Sequence, residues 1–320
     1  MVTLGFHASH EQLPPRVLLA CVQAAETAGF AAAMCSDHIA PWSERQAESG
    51  HAWAWLGAAL QCTAMPFGVV TAPGQRYHPA VLAQAIATLA SLFPGRFWAA
   101  LGSGEAVNEH VTGDRWPDKA ARDERLLECV EVIRALLRGE EVTHHGHVRV
   151  DRARLWSLPD APPLLLGAAV SETTARLVGS WADGLITINQ PLEKLRRVID
   201  GFYEGGGDGK PVYVQVHLSW AEDDETALAI AHEQWRTNTF DSTLAWNLEL
   251  PAQFDAAAKF VRPEDLCTSV LVSSDLSRHV SWLTDVADLG VDAVYLHHVG
   301  REQERFIDAF GERVLPQVAT

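Results

Sequence analysis

The sequence predicts an α/β protein built as a (β/α)8 TIM barrel, and three observations predict it. Short apolar runs alternate with helical patterns of roughly 10–15 residues along the chain, the mark of a parallel α/β protein. Eight such runs can be counted, which suits a closed barrel better than an open sheet. No Gly-x-Gly-x-x-Gly follows the first run, which disfavours a dinucleotide-binding doubly wound fold. One barrel domain with insertions is expected over residues 1–320.

The elements follow in order. The first strand is expected at Val2–His7, followed by a helix over Val17–Ala28 that Gly29 ends. Phe30–Cys35 reads as a buried strand, and a long polar connection with Ser36-Asp37-His38 and Pro41-Trp42 follows it. His51–Cys62 is helical, Met65–Thr71 a strand, and Pro79 starts the next helix. Arg96–Leu101 is a strand running into Gly102-Ser103-Gly104-Glu105. A long amphipathic helix spans Asp118–Arg138, and His144–Val150 belongs to a hairpin excursion. Pro163–Ala168, Gly184–Ile188, Val212–Leu218 and Ala293–His297 complete the strands. The helix-rich stretch Thr226–Lys259 is longer than one barrel helix needs and reads as an insertion.

Composition narrows the function classes. The chain carries 41 acids against 25 bases, a net charge of -16, so a nucleic-acid partner is not expected. No apolar run reaches the roughly 18 residues a membrane helix needs. The five cysteines form no CxxC pair and read as small apolar packers in a reducing compartment, so a cytoplasmic location is expected.

Barrel chemistry sits at the C-terminal ends of the strands. That rule selects Ser9, His10, Glu11 and Gln12 after strand one, and Ser36, Asp37, His38 and Trp42 after strand two. It selects Thr71, Gln75, Arg76 and Tyr77 after strand three, and Ser103, Glu105, Asn108 and Glu109 after strand four. Ala168, Ala169 and Ser171 follow strand five, and His297 and His298 lie at strand eight. Histidine titrates near neutrality, so His38 beside Asp37 suits proton transfer; a loop-capping Asp beside a structural His is the plainer alternative. Glu105 reads as a general acid or base, or as a helix N-cap position. Ser171 opens a helix, a natural phosphate site and equally an ordinary N-cap. His144, His145 and His147 have no partner at metal-ligand spacing, so a solvated hairpin is expected and no metal site is assigned.

These loops resemble the luciferase-like superfamily, within it the branch of coenzyme F420-dependent glucose-6-phosphate dehydrogenases. The resemblance rests on Ser9 to Gln12, on Ser36-Asp37-His38 with Pro41-Trp42, and on Arg76-Tyr77-His78-Pro79-Ala80-Val81. It rests most on Gly102-Ser103-Gly104-Glu105-Ala106-Val107-Asn108-Glu109, and further on Gly167-Ala168-Ala169 and Ala182-Asp183-Gly184. The resemblance implies FMN or coenzyme F420 across the barrel mouth. His38 and Glu105 would be the proton-transfer groups, and Trp42 would stabilise the intermediate. Asp37, Val69, Val70, Ser103, Gly104, Asn108, Gly167, Ala168 and Ala169 would hold the cofactor. A non-proline cis peptide is implied at Val69-Val70. Glu11 and Thr187 would lie on the substrate side, and a homodimer is implied.

The sequence departs from that branch where a sugar phosphate would bind. Gln190, Ala256 and Ser269 fall where basic residues are expected. A dianionic phosphate needs cationic partners, so glucose-6-phosphate is not the expected substrate. The expected activity is hydride transfer between the cofactor and a small organic substrate. The alternatives are an FMN-dependent monooxygenase, a metal-dependent barrel hydrolase and a non-catalytic flavin-binding protein.

Overall fold

A computed structural model describes residues 2–318. Eight parallel strands close into a ring: β1 (Thr3–Ala8), β2 (Ala32–Ser36), β3 (Phe67–Thr71), β4 (Phe97–Leu101), β5 (Leu164–Ala168), β6 (Leu185–Ile188), β7 (Val212–Ser219) and β8 (Ala293–His298). Each pairs with the next in chain order. β8 returns to β1 through Thr3↔Ala293, which closes the barrel. A two-residue strand, Leu271–Val272, adds to β7 outside the ring. Eight helices cover the outside: α1 (Pro15–Thr27), α2 (Ala52–Cys62), α3 (Pro79–Leu92), α4 (Lys119–Leu137), α5 (Glu172–Gly179), α6 (Leu192–Phe202), α7 (Leu276–Ala287) and α8 (Gln303–Arg313).

Every expected strand is found, with ends shifted by a few residues. The hairpin pairs Val142–His145 with Arg149–Ala153. It is tied to α4 by His144 on Glu128 and His147 on Glu124, both at 3.0 Å. The insertion carries Asp224–Trp235, Ser242–Ala245 and Pro251–Ala257. One expectation fails. The Val69–Val70 peptide is trans, as is every peptide bond among the described residues. Both valines sit in a ladder paired on two sides, to Cys35 and Ser36 of β2 and to Ala99 and Ala100 of β4. A regular trans strand already satisfies those backbone groups. The roughly 3 kcal/mol of a cis non-proline bond would have no compensation there.

Strand alternation sorts the barrel into two environments. On β7, Val212, Val214, Val216 and Leu218 face the helices and join the main apolar core. Tyr213, Gln215 and His217 share the opposite face. Toward the N-terminal end the lumen is filled by Trp98, Tyr213 and Tyr295, whose ring centroids lie 5.4–5.9 Å apart. Glycine makes room for them. A Cβ at Gly68 would stand 1.9 Å from the Trp98 ring. Toward the C-terminal end the lumen turns polar, and the site begins.

Candidate active site

The C-terminal mouth of the barrel holds a cavity with about 1010 Å³ of space between its atoms, part of it open to solvent. Its walls are the ends of β2 to β7. One side is Val70, Thr71 and Ala72; another is Gly102, Ser103, Gly104 and Glu105; a third is Ala168, Ala169 and Val170. Small residues keep the slot open. Gly104 has φ +82, and a Cβ there would lie 3.2 Å from Glu109 and 3.3 Å from Trp116. Such a flat-walled apolar slot with a few polar groups fits a planar ring.

Strand ends deliver the titratable groups. β2 ends at Ser36 and places Asp37 and His38 on the rim, with Asp37 N–H donating to Val70 O at 2.9 Å. His38 is held between two carboxylates. Its Nδ1 lies 2.7 Å from Glu11 Oε1, and its Nε2 lies 3.9 Å from Glu105 Oε2. Burial opposes a proton on His38, but Glu11 in contact and Glu105 beyond outweigh it, and the imidazole is pushed up. Burial would raise Glu11; the contact with His38 reverses this and draws it down to about 2. Ser9 Oγ donates to its other oxygen at 2.7 Å. Trp42 meets the His38 ring edge to face at 5.1 Å and packs on Phe254 of the insertion.

Glu105 has both features that the sequence suggests, an N-cap position and a place on the cavity. It occupies the N-cap of the short helix Ala106–Glu109, yet its side chain makes no capping bond. The carboxyl instead lines the cavity and accepts from Asn108 Nδ2 at 3.3 Å. Burial pushes it up, His38 pulls it down, and Glu11 and Glu109 push it further up, for a net rise. The loop before this helix is pinned from far away in sequence, since Ala106 N–H donates to Trp246 O at 3.0 Å.

Asp37 serves the frame. Its carboxylate accepts from Thr71 at 2.8 Å, Trp53 at 3.0 Å and Tyr77 at 3.2 Å, and Arg76 lies 3.4 Å away. Arg76 also reaches Glu109 at 3.7 Å and stacks on Tyr77. A buried charge needs such partners. Asn108 accepts from Ile39 N–H at 3.0 Å, which ties the His38 loop to the Glu105 loop.

The remaining expected residues separate into two groups. Val70, Ser103, Gly104, Asn108, Ala168, Ala169 and Thr187 line the cavity. Val69 and Gly167 do not. Val69 is buried in the main core. Gly167 gives way to α5, where a Cβ would stand 2.2 Å from Val178. Ser171 caps α5, accepting from Thr174 N–H at 3.3 Å. On the substrate side, Gln190 donates to Val170 O and Ser269 to Leu266 O, so neither supplies charge. Two cations line the cavity, and both are paired: Arg76 with Asp37 and Glu109, Lys119 with Asp123. Among the described residues no three His, Cys, Asp or Glu side chains converge as a metal cage.

Of the polar layer inside the lumen the sequence marks His297 alone; His7, Gln215 and His217 are added by the fold. His7 stacks on His297 at 4.2 Å, and Trp235 of the insertion meets His297 at 4.7 Å. Gln215 lies 3.1 Å from His217 and 3.2 Å from His297. Burial dominates here: His7 falls to about 4, His217 to about 3, and His297 lies well below its ordinary value.

Residues 1–293 match the model of the Luciferase-like monooxygenase family. The chain belongs to that family. It is 34% identical over 333 residues to an F420-dependent glucose-6-phosphate dehydrogenase of Nakamurella multipartita, covering 99% of this chain and 96% of that one. It is 32% identical to an F420-dependent hydroxymycolic acid dehydrogenase of Mycobacterium tuberculosis, covering 98% and 88%. Among solved structures, an F420-dependent secondary alcohol dehydrogenase in complex with an F420-acetone adduct superposes with a TM-score of 0.91 at 28% identity, covering 99% of each chain. The chain is an oxidoreductase of this family.

Proposed function

We propose that this enzyme moves a hydride between coenzyme F420 or FMN and a small uncharged alcohol or ketone. The observation that carries the proposal is His38 held between Glu11 at 2.7 Å and Glu105 at 3.9 Å, on a cavity whose lining cations are already paired. F420 is the first cofactor to test, because relatives spanning nearly the whole chain depend on it. The monooxygenase reading is less favoured, since the monooxygenase structures that superpose are under 20% identical and share only the fold.

When bound, the ring supplies the two-electron acceptor or donor. The protein handles the proton. Glu11 Oε1 lies 2.7 Å from Nδ1 of His38, so a proton on His38 would be held on that side and Nε2 would face Glu105. In the oxidative direction Nε2 of His38 would take the O–H proton of the alcohol, and bound F420 or FMN would supply the acceptor for the carbinol hydride, leaving a carbonyl. Glu11 then stabilises the imidazolium, as a buried carboxylate in contact with a charged ring does. Burial pushes Glu105 up, so in its protonated form it would donate a hydrogen bond to the reacting oxygen. Trp42 and Trp246 bring apolar surface near that position. Asn108 ties the two proton-handling loops together.

The charge balance sets the substrate class. A phosphate dianion would find the lining cations already paired with Asp37, Glu109 and Asp123, whereas an uncharged alcohol meets no such cost. All five cysteines are unpaired, which supports a cytoplasmic location. The family resemblance supports a homodimer.

The test is His38→Ala with F420 and 2-propanol. Turnover should fall about 10²–10⁴-fold while cofactor affinity stays within about twofold. Turnover of wild type on glucose-6-phosphate exceeding that on every neutral alcohol tried would refute the substrate class.

A further inference from the structure

The amide of Gln215 has only one orientation that satisfies its neighbours. Gln12 sets that orientation. Its Nε2 lies 2.5 Å from Val299 O, a backbone carbonyl that can only accept, so the NH2 end of Gln12 is fixed there. Its second N–H goes to Gln234 Oε1 at 3.3 Å. Gln12 Oε1 therefore faces His297 Nε2, 3.0 Å away, and that nitrogen must carry a hydrogen.

His297 is 1% exposed and has no carboxylate in contact, so the ring is neutral and its Nδ1 is bare. A bare nitrogen needs a donor. Gln215 Nε2 stands 3.2 Å from it. The second N–H of Gln215 goes to His217 Nε2 at 3.1 Å. Both amide hydrogens are then consumed inside the protein. Gln215 Oε1 makes no hydrogen bond among the described residues and is not sealed, while the residue is 9% exposed and lines the cavity. Reversing the amide would set its oxygen against a bare Nδ1, two lone pairs facing each other.

We propose that Gln215 is a specificity-determining residue whose Oε1, fixed by the Gln12–His297 relay, accepts a hydrogen bond from an O–H or N–H of the bound ligand. The proposal rests on the reading that cofactor and substrate share this cavity. It excludes groups that only accept, such as an ether oxygen or a carboxylate, from that spot. The donor is either the imide N–H of a flavin-type ring or a hydroxyl of the substrate, and the two leave different signatures.

The experiment uses the full chain and Gln215→Met, which keeps the volume and removes the acceptor. Dissociation constants for F420 and for FMN are measured by fluorescence titration, and KM by turnover of a neutral alcohol series at saturating cofactor. A roughly tenfold weaker cofactor with unchanged KM assigns the acceptor to the ring. A roughly tenfold higher KM with unchanged cofactor affinity assigns it to the substrate. Folded Gln215→Met with both constants within twofold of wild type overturns the proposal. Histidine 15N NMR of the wild type tests the relay without any variant at Gln215: His297 must carry hydrogen on Nε2. Hydrogen on Nδ1, or on both nitrogens, reverses the amide and also overturns it. If no alcohol is turned over, the function reading fails, while the tautomer and the cofactor constants still decide the Gln215 assignment.

Discussion

Two sets of buried imidazoles occupy the mouth of the barrel, and their surroundings tune them in opposite directions. His38 is pushed up, while His7, His217 and His297 are pushed down. Burial lowers all four. A carboxylate in contact makes the difference, since Glu11 touches His38 at 2.7 Å. His297 has amides around it, Gln12 at 3.0 Å and Gln215 at 3.2 Å. An amide orders hydrogens but has no net charge to hold a proton in a desolvated ring. His7 feels Glu11 at longer range, and burial still prevails. One residue type thus sits in two settings: a carboxylate in contact raises His38, and burial among amides lowers the deeper layer.

The largest break in this comparison is Glu11→Gln. It removes the charge that separates His38 from the layer below. Turnover should fall about 100-fold, and the His38 limb of the pH–rate profile should move to lower pH. A profile that stays in place would show that Glu11 does not set the pKa of His38. Stability carries the same information. A raised His38 contributes stability below about pH 6.5 and loses it as pH climbs through its folded pKa. A lowered Glu11 contributes above about pH 4.5 and loses it as pH falls toward 2. The cost of Glu11→Gln in thermal melts should therefore be greatest between these two values, roughly pH 4.5 to 6.5.

The deeper layer predicts acid lability. In that layer His7 lies near 4 and His217 near 3; outside it, His10 against Trp55 lies near 4 and His298 against Phe306 near 3. Below pH 6.5 the unfolded chain binds protons that the folded one refuses, so stability drains away as pH falls from 6.5 toward 4. Calorimetry in that window should show a falling Tm with net proton uptake on unfolding. A flat Tm would mean that the layer is charged or solvated, and the contrast with His38 would collapse. The smallest effect belongs to His7→Phe, which keeps an aromatic ring on His297 and should leave the pH–rate profile where it is. A moved limb would show that His7 titrates with the site.

The barrel was legible because burial on both faces leaves strands as apolar runs, such as Phe97-Trp98-Ala99-Ala100-Leu101. The rim residues were legible because they follow strand ends, and His38, Glu105 and Asn108 do meet. What lay hidden is pairing across the lumen. The substrate side is expected of Glu11, but its contact with His38, made from the loop after β1 and 27 residues away, is not visible in the sequence. Gln215 and His217 had a signal that went unused: polar residues at every second position of an otherwise apolar strand. Trp246 gave none, since nothing local in the insertion tells that its carbonyl pins Ala106. The cis peptide was expected from resemblance alone, and the ladder around Val69 and Val70 overrides it.

The aromatic plug of Trp98, Tyr213 and Tyr295 also governs traffic. It fills the N-terminal end of the lumen, so among the described residues the cavity opens toward the C-terminal mouth. A ligand seated deeper would then arrive first and depart last, because a second ligand above it would stand in its way out. Steady-state kinetics should accordingly be ordered rather than random, and a non-reacting mimic of the outer ligand should slow escape of the inner one.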